Sequence, residues 1–215
     1  MMSELQTGTV FRSTGSWYEV RFTDGNFIPC KLKGNFKIKG LRTTNPLAVG
    51  DVVDVKLLPD HKTGLIAKIH PRHNYIIRKA TKLSKASHII AANLDQAVLI
   101  ASLEKPKTST GFIDRFLVTA EAYHIPVTLV FNKYDIYGEK VKENLNLLIN
   151  VYQQAGYHCL VTSAKKAYHL EAFKDVLKGK TSLLSGHSGV GKSALINNID
   201  NSLNLKEGEI SKTHL

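Results

Sequence analysis

Gly186-His187-Ser188-Gly189-Val190-Gly191-Lys192-Ser193 is the stretch on which the fold turns. It matches the pattern G-x-x-x-x-G-K-[ST], and its flanks are the ones that pattern needs. Thr181–Leu184 reads as a short apolar strand before it, and Lys192–Ile199 as a helix that it opens. A glycine-rich turn between strand and helix aims backbone N–H groups outward at a helix N-terminus, where the helix dipole reinforces them, so it binds phosphate oxygens. Glycine at 186, 189 and 191 lets the backbone approach phosphates without a Cβ in the way. In such a cradle Lys192 reaches the β- and γ-phosphates and the Ser193 hydroxyl binds Mg²⁺, while His187, Ser188, Val190 and Ala194 complete the loop. His187 reads as a tolerated loop residue more readily than as a proton carrier, because the chemistry of such loops is mostly positioning.

Upstream of this loop, strand and helix patterns alternate. Leu94–Ser102 and Pro126–Phe131 contain the apolar runs of buried strands, and His158–Thr162 is a third strand. Gly111–His124 places Phe112, Phe116 and Ala120 at helical spacing. Glu139–Ala155 puts Val141, Leu145, Leu148, Ile149 and Tyr152 on one helical face before Gly156, and His169–Leu177 is a further helix. The pattern predicts an α/β domain with a mostly parallel sheet covered on both faces, whose ligands bind at the carboxyl ends of its strands.

Two of those strand ends carry motifs that choose the base. Asn132-Lys133-Tyr134-Asp135 follows the strand 126–131, and Thr162-Ser163-Ala164-Lys165 follows the strand 158–161. The carboxylate of Asp135 can accept hydrogen bonds from guanine N1–H and the exocyclic N2–H₂. Adenine offers neither donor there, so an adenine nucleotide would leave a charged acceptor unpaired. Asn132 can bond the ring edge, the Lys133 stem can cover the base face, and the Ala164 N–H can bond guanine O6, with Ser163 and Lys165 completing the second motif. GTP and GDP are the expected ligands, and an ATPase or kinase reading is disfavoured. The order of motifs along the chain is 132, 163, 186, so the base-recognising half precedes the phosphate half, the reverse of ordinary small GTPases. Hydrogen bonds depend on position in space and not on chain order, so a circularly permuted domain can keep the same site.

The first 72 residues are of another kind. Thr7–Arg12, Trp17–Phe22, Phe27–Leu32, Val52–Leu58 and Leu65–Ile69 read as five short strands, with Asp24-Gly25 as a hairpin turn. They predict a small Greek-key barrel of the OB type, an SH3-like barrel being the alternative. The expected division is a barrel over 1–72, a basic linker over 73–88 and the nucleotide domain over 89–215.

Composition bounds the partners. The 215 residues hold 29 Lys and Arg against 18 Asp and Glu, a formal net charge of +11, with 43% hydrophobic residues. Residues 1–72 hold 11 basic and 6 acidic side chains, 73–90 hold four basic and none acidic, and 91–215 hold 14 and 12. The excess therefore sits in the barrel and linker and points to a polyanion there. Lys31, Lys33, Lys37, Lys39 and Arg42 are the candidate RNA contacts. Taken singly, each reads more readily as a solvated surface cation, and the collective patch is the firmer expectation. Two cysteines, Cys30 and Cys159, in no ligand spacing exclude a disulfide framework or a complete cysteine-based zinc site in this stretch. No apolar run is long enough to span a membrane and no signal peptide is legible, so a cytoplasmic monomer with no membrane partner is expected.

These residues resemble the ribosome-small-subunit-dependent GTPases (RsgA/YjeQ). The likeness spans the chain: the barrel, Asn74-Tyr75-Ile76-Ile77-Arg78, Ala91-Ala92-Asn93-Leu94-Asp95-Gln96, Ile113-Asp114-Arg115-Phe116-Leu117, and the three nucleotide motifs in permuted order. The resemblance implies an assembly factor of the small ribosomal subunit that hydrolyses GTP and contacts ribosomal RNA through its barrel. The family also has a switch threonine in a His-Thr-Thr run, a D-x-x-G loop and a zinc module with Cys and His ligands. Thr213 is the only threonine after Ser193 and does not stand in such a run. Asp135-Ile136-Tyr137-Gly138 matches D-x-x-G by letter but overlaps the base motif. The 215 residues are therefore expected to be part of a longer protein, with Zn²⁺ confined to the part absent here. The alternative is a module that binds RNA and guanine nucleotide without turnover.

Overall fold

Alternation of exposed and buried residues builds the N-terminal unit. β1 (Leu5–Thr14), β2 (Trp17–Phe22), β3 (Phe27–Leu32), β4 (Val52–Leu57) and β5 (Gly64–Ile69) close into a barrel in the order β1-β2-β3-β5-β4. This is the five-stranded OB-type barrel expected, antiparallel throughout except for the parallel β3–β5 pair. The computed structural model describes residues 5–33, 46–59, 61–78 and 88–206. Val10, Tyr18, Val20, Phe22, Cys30, Leu47, Val53, Val55 and Ile66 fill the barrel. Burial pushes the Cys30 thiol up to about 11. Asp24-Gly25 makes the β2–β3 turn, with Gly25 at φ 86° and the Asp24 carboxylate accepting the Asn26 N–H at 2.9 Å. Gly64 is required by packing, since a Cβ there would lie 2.5 Å from Val55 Cγ1 and 2.9 Å from the Cys30 sulfur.

A buried ion pair fixes the turn that leads into β4 at residues 46–51. Asp51 is fully buried, and its oxygens accept from Arg72 Nε and Nη2, both at 2.6 Å. The same carboxylate accepts the Ala48 N–H at 2.8 Å, and Arg72 Nη2 also donates to the Pro46 carbonyl at 2.9 Å. Asp51→Ala strands the guanidinium and a backbone N–H, and is expected to destabilise the barrel by about 3–5 kcal/mol. Urea denaturation of the variant measures this.

Two strands occupy the ends of the segment expected to be a linker. β6 (Tyr75–Arg78) and β7 (His88–Ala92) pair as an antiparallel ribbon. The ribbon is held to the loop before β4: the Ala92 N–H donates to Val49 O at 2.9 Å, and Asn93 Nδ2 donates to Gly50 O at 2.9 Å. Gly50 sits at φ 92° with its α-carbon against the Ala92 carbonyl, where any Cβ would collide at 2.0 Å. The compact units accordingly divide between Leu94 and Asp95. Neither strand is among those read from the sequence, and their position is set by contacts with residues some forty positions away.

The second unit is a wholly parallel sheet. β8 (Gln96–Ala101), β9 (Val127–Phe131), β10 (His158–Val161) and β11 (Ser182–Ser185) are ordered β10-β9-β8-β11. Every residue of the two central strands is buried, which is why they read as unbroken apolar runs. The helices are α1 (Thr110–Ala122), α2 (Glu139–Gln154), α3 (Leu170–Leu177) and α4 (Lys192–Ile199). α1 buries Ile113, Leu117 and Ala120, while Phe112 and Phe116 of the expected stripe are only half-buried. Tyr152 of α2 donates to the Asp114 carboxylate of α1 at 2.9 Å. Among the described residues no helix is long and apolar enough to cross a membrane.

Candidate nucleotide site

The three motifs meet at one edge of the sheet. All strands of the sheet run parallel, so the segments that leave β9, β10 and β11, starting at Asn132, Thr162 and Gly186, emerge at the same edge, with β8 between β9 and β11. Chain order is thereby irrelevant to the site, as the permuted reading requires.

The phosphate loop has the backbone shape expected of it. Gly186, Gly189 and Gly191 take φ of 139°, 79° and 97°. A Cβ on Gly186 would lie 2.1 Å from the Ile100 carbonyl, and one on Gly191 2.4 Å from Asn132 Nδ2. Both glycines are therefore demanded by neighbours as well as by φ. Val190 is fully buried beneath the loop. Lys192 Nζ donates to the carbonyls of Gly186 at 2.8 Å and His187 at 2.7 Å, and burial lowers its pKa. Ser193 and Ala194 follow in the first turn of α4, both half-buried, and Ser188 is exposed at the tip. The His187 ring lies 4.0 Å from the ring of Phe112, tilted by 32°. That contact fits the reading of His187 as a packed loop residue.

Asn132 does more than its motif suggests. It is 1% exposed, and its amide is engaged on every side. Nδ2 donates to the Val190 carbonyl at 2.9 Å, and Oδ1 accepts the Thr162 hydroxyl at 3.1 Å and the Ala164 N–H at 3.2 Å. One buried side chain thus ties the segments after β9 and β10 to the glycine-rich loop before α4. An amide nitrogen carries two N–H groups and Val190 takes one, so these bonds leave the expected contact of Asn132 with a base edge open. The Ala164 N–H, expected on guanine O6, faces Asn132 Oδ1.

Asp135 is joined to Ser163 of the second motif. It lies on a single 3₁₀ turn, Tyr134–Ile136, and is exposed; one carboxylate oxygen accepts the Ser163 hydroxyl at 2.5 Å. The Ser163 oxygen in turn accepts the Lys166 N–H at 3.1 Å, so Ser163 orients the carboxylate. Lys133 is left-handed at φ 69°, and its ammonium donates to the Lys105 carbonyl. Burial lowers the Lys133 pKa and the Asp135 charge opposes the shift. Lys165 is exposed.

Other residues join this site without a motif to announce them. Tyr137 is 4% exposed, donates to the Asn132 carbonyl at 2.6 Å and accepts the Leu103 N–H at 2.8 Å. It thereby fastens the segment after β8 to the base loop, and burial raises its pKa. The Tyr134 and Tyr168 rings stack at 5.5 Å and 18°, joining the two base-recognising loops. A tyrosine two residues beyond Asp135 was visible in the sequence, but nothing there distinguished it from a core residue.

The RNA candidates are only partly described. Lys31 lies exposed on β3 and Lys33 exposed just beyond it, whereas Lys37, Lys39 and Arg42 fall outside the described residues, as does Thr213.

Comparison with known proteins agrees with this arrangement. The family model described as RsgA GTPase matches residues 69–215, and that of the RsgA N-terminal domain matches 7–66. Small ribosomal subunit biogenesis GTPase RsgA 2 of Bacteroides thetaiotaomicron is 54% identical over 207 residues, and the protein named Small ribosomal subunit biogenesis GTPase RsgA of Christiangramia forsetii is 52% identical over 209. Each match takes in 96% of this chain and 66% of the relative, so the chain spans just under two thirds of their length. The crystal structure of YjeQ from Thermotoga maritima superposes with a TM-score of 0.77 at 33% identity, over 96% of this chain and 69% of that one. YloQ, described as a circularly permuted GTPase, gives 0.70 at 30% identity, over 93% of this chain and 66% of its own.

Proposed function

Because the chain belongs to the RsgA GTPase family, we propose that it binds GTP and GDP at the carboxyl edge of β8–β11 and hydrolyses GTP in assembly of the small ribosomal subunit. The observation that carries this reading is the Asn132 junction, which locks a guanine-reading carboxylate and a phosphate cradle into one rigid site. Asp135 reads the base, with the Lys133 stem over its face and Ser163, Ala164 and Lys165 framing it. Gly186 to Ala194 hold the phosphates. Water attacks the γ-phosphate in line. The loop N–H groups and the Lys192 ammonium, moving from the Gly186 and His187 carbonyls to phosphate oxygens, meet the charge that develops. The residues present fit Mg²⁺, since Ser193 stands in the first turn of α4 with a hydroxyl beside the loop; Ser193 would hold the ion, which would neutralise phosphate charge.

The barrel supplies the contact with ribosomal RNA, through Lys31, Lys33, Lys37, Lys39 and Arg42, as a division into barrel 1–72, linker 73–88 and nucleotide domain 89–215 would have it. The setting is the cytoplasm and the working form a monomer. Zinc, on the family resemblance alone, belongs to a module outside this stretch.

Calorimetric titration with GTP, GDP and ATP tests the base assignment. GTP and GDP should bind at least about 100-fold more tightly than ATP, because adenine leaves the Asp135 carboxylate unpaired. Comparable affinity for ATP and GTP overturns it. Lys192→Ala should weaken GTP more than it weakens guanosine, since the ammonium serves only the phosphates.

A further inference from the structure

The barrel carries three large aromatic rings that its core does not use. Phe11 is 46% exposed, Trp17 39% and Phe27 53%. Their positions follow from the strands. β2 alternates so that Trp17, Glu19 and Arg21 face outward while Tyr18, Val20 and Phe22 fill the core, and β3 does the same with Phe27, Pro29 and Lys31. The β1–β2 register jumps between Val10 and Arg12, so Phe11 is the extra residue of a bulge and both Phe11 and Arg12 are exposed.

The cross-strand register then gives each ring a cation. Arg21 stands directly opposite Phe27, with its guanidinium 5.9 Å from that ring and 5.4 Å from Phe11. Phe11 and Phe27 meet edge to face at 5.4 Å. One register step beyond the Tyr18–Cys30 pair, Lys31 Nζ lies 4.3 Å from the Trp17 ring. Between these two clusters the ladder runs through Arg12, Glu19 and Pro29, which with Thr14, Trp17 and Tyr18 line an open cleft of about 350 Å³.

Exposed apolar rings in one patch mark a binding surface. The interleaved charges say what it binds. An apolar protein partner would have to strip water from Arg21 and Lys31 without neutralising them, which is unfavourable. A nucleic acid lays its bases on the rings and its phosphates on the cations. A duplex hides its base faces, so the bases must be unpaired. The four residue-to-residue steps from Phe27 to Lys31 span about 13 Å of strand, and at about 3.4 Å per stacked base this holds about four nucleotides.

We propose that the outer face of β1, β2 and β3 binds about four unpaired RNA nucleotides, stacking bases on Phe11, Phe27 and Trp17 and holding phosphates with Arg12, Arg21 and Lys31. The site rests on the reading of the barrel as the RNA-contacting unit and gives that reading a location; of the cations named from the sequence, Lys31 belongs to it.

Trp17 is the single tryptophan of the chain, so its emission reports on the site directly. The 215-residue chain is titrated with a mixed-sequence single-stranded RNA of eight nucleotides and with an RNA duplex of equal phosphate number. The single strand should quench Trp17 and bind at least about tenfold more tightly than the duplex. Phe11→Ala/Phe27→Ala should weaken the single strand by at least about tenfold while leaving the circular dichroism spectrum and unfolding midpoint unchanged, and Phe11→Tyr/Phe27→Tyr should retain binding. Single-strand binding without quenching and unaltered in the alanine variant overturns the stacking site and leaves the face to a protein partner, with the barrel's RNA contact carried by lysines elsewhere. No binding of either RNA at low salt overturns the stacking site and the RNA-contacting reading of the barrel together.

Discussion

Asp135→Asn is expected to turn a guanine site into a xanthine site. The carboxylate has one oxygen on the Ser163 hydroxyl at 2.5 Å and is otherwise exposed, so both oxygens present lone pairs to a base. Guanine would donate to them from N1–H and N2–H₂. Each hydrogen bond to a charged group contributes about 1.5–3 kcal/mol, so losing the pair should lower GTP affinity by about 10²- to 10⁴-fold. Xanthine carries a carbonyl where guanine carries the exocyclic amine, and the new amide can donate to it. Xanthosine triphosphate should therefore overtake GTP in a competition titration against a fluorescent nucleotide. Asparagine keeps an acceptor for Ser163, so the unfolding midpoint should stay within about 1 °C of the parent, as for most substitutions of exposed side chains. An unaltered preference for GTP would remove Asp135 from base recognition.

Asn132→Ala should fail differently. It leaves the Val190 carbonyl without its donor, and the Thr162 hydroxyl and Ala164 N–H without their acceptor, all at or near the buried floor of the site. An unsatisfied buried group costs about 1–3 kcal/mol. With the Thr162 hydroxyl free to rotate to another acceptor, the nucleotide unit should lose about 2–4 kcal/mol. Guanine and xanthine nucleotides should both bind at least about 100-fold more weakly, because the phosphate loop and the base loops are no longer held in one frame. The two variants together separate reading from framing: one changes which base is preferred at constant stability, the other lowers stability and leaves the preference as it was. If Asn132→Ala lost GTP affinity alone, with its unfolding curve unmoved, Asn132 would be a base contact after all.

The two substitutions also show what could be read from residue order. The neighbourhood of Asp135 and Ser163 was legible because each motif follows its own buried strand, and parallel strands bring their carboxyl ends to one edge of the sheet. The strands themselves were legible because β8 and β9 are buried along their whole length and read as unbroken apolar runs. The barrel was legible because its strands are half-buried and alternate. The β6–β7 ribbon was not: what fixes Tyr75–Arg78 and His88–Ala92 is their mutual pairing and the approach of Gly50 to Ala92, some forty residues apart. The aromatic face was not legible either. Phe11, Trp17 and Phe27 look like core residues in sequence, and only the bulge at Phe11 and the β2–β3 register put them outside beside Arg21 and Lys31.

By itself, the sequence determined the family, the permuted order of the motifs and where the positive charge lies. Each of these is carried by residue identity or by a local period, and needs no partner to be known. The tertiary structure decided how the residues work. Asn132 bonds groups 30, 32 and 58 residues away, Tyr137 fastens Leu103 from 34 residues off, and Arg72 finds Asp51 across the barrel unit. Hydrogen bonds of that range are fixed by which strand ends become neighbours, and local periodicity along the chain carries no information about that.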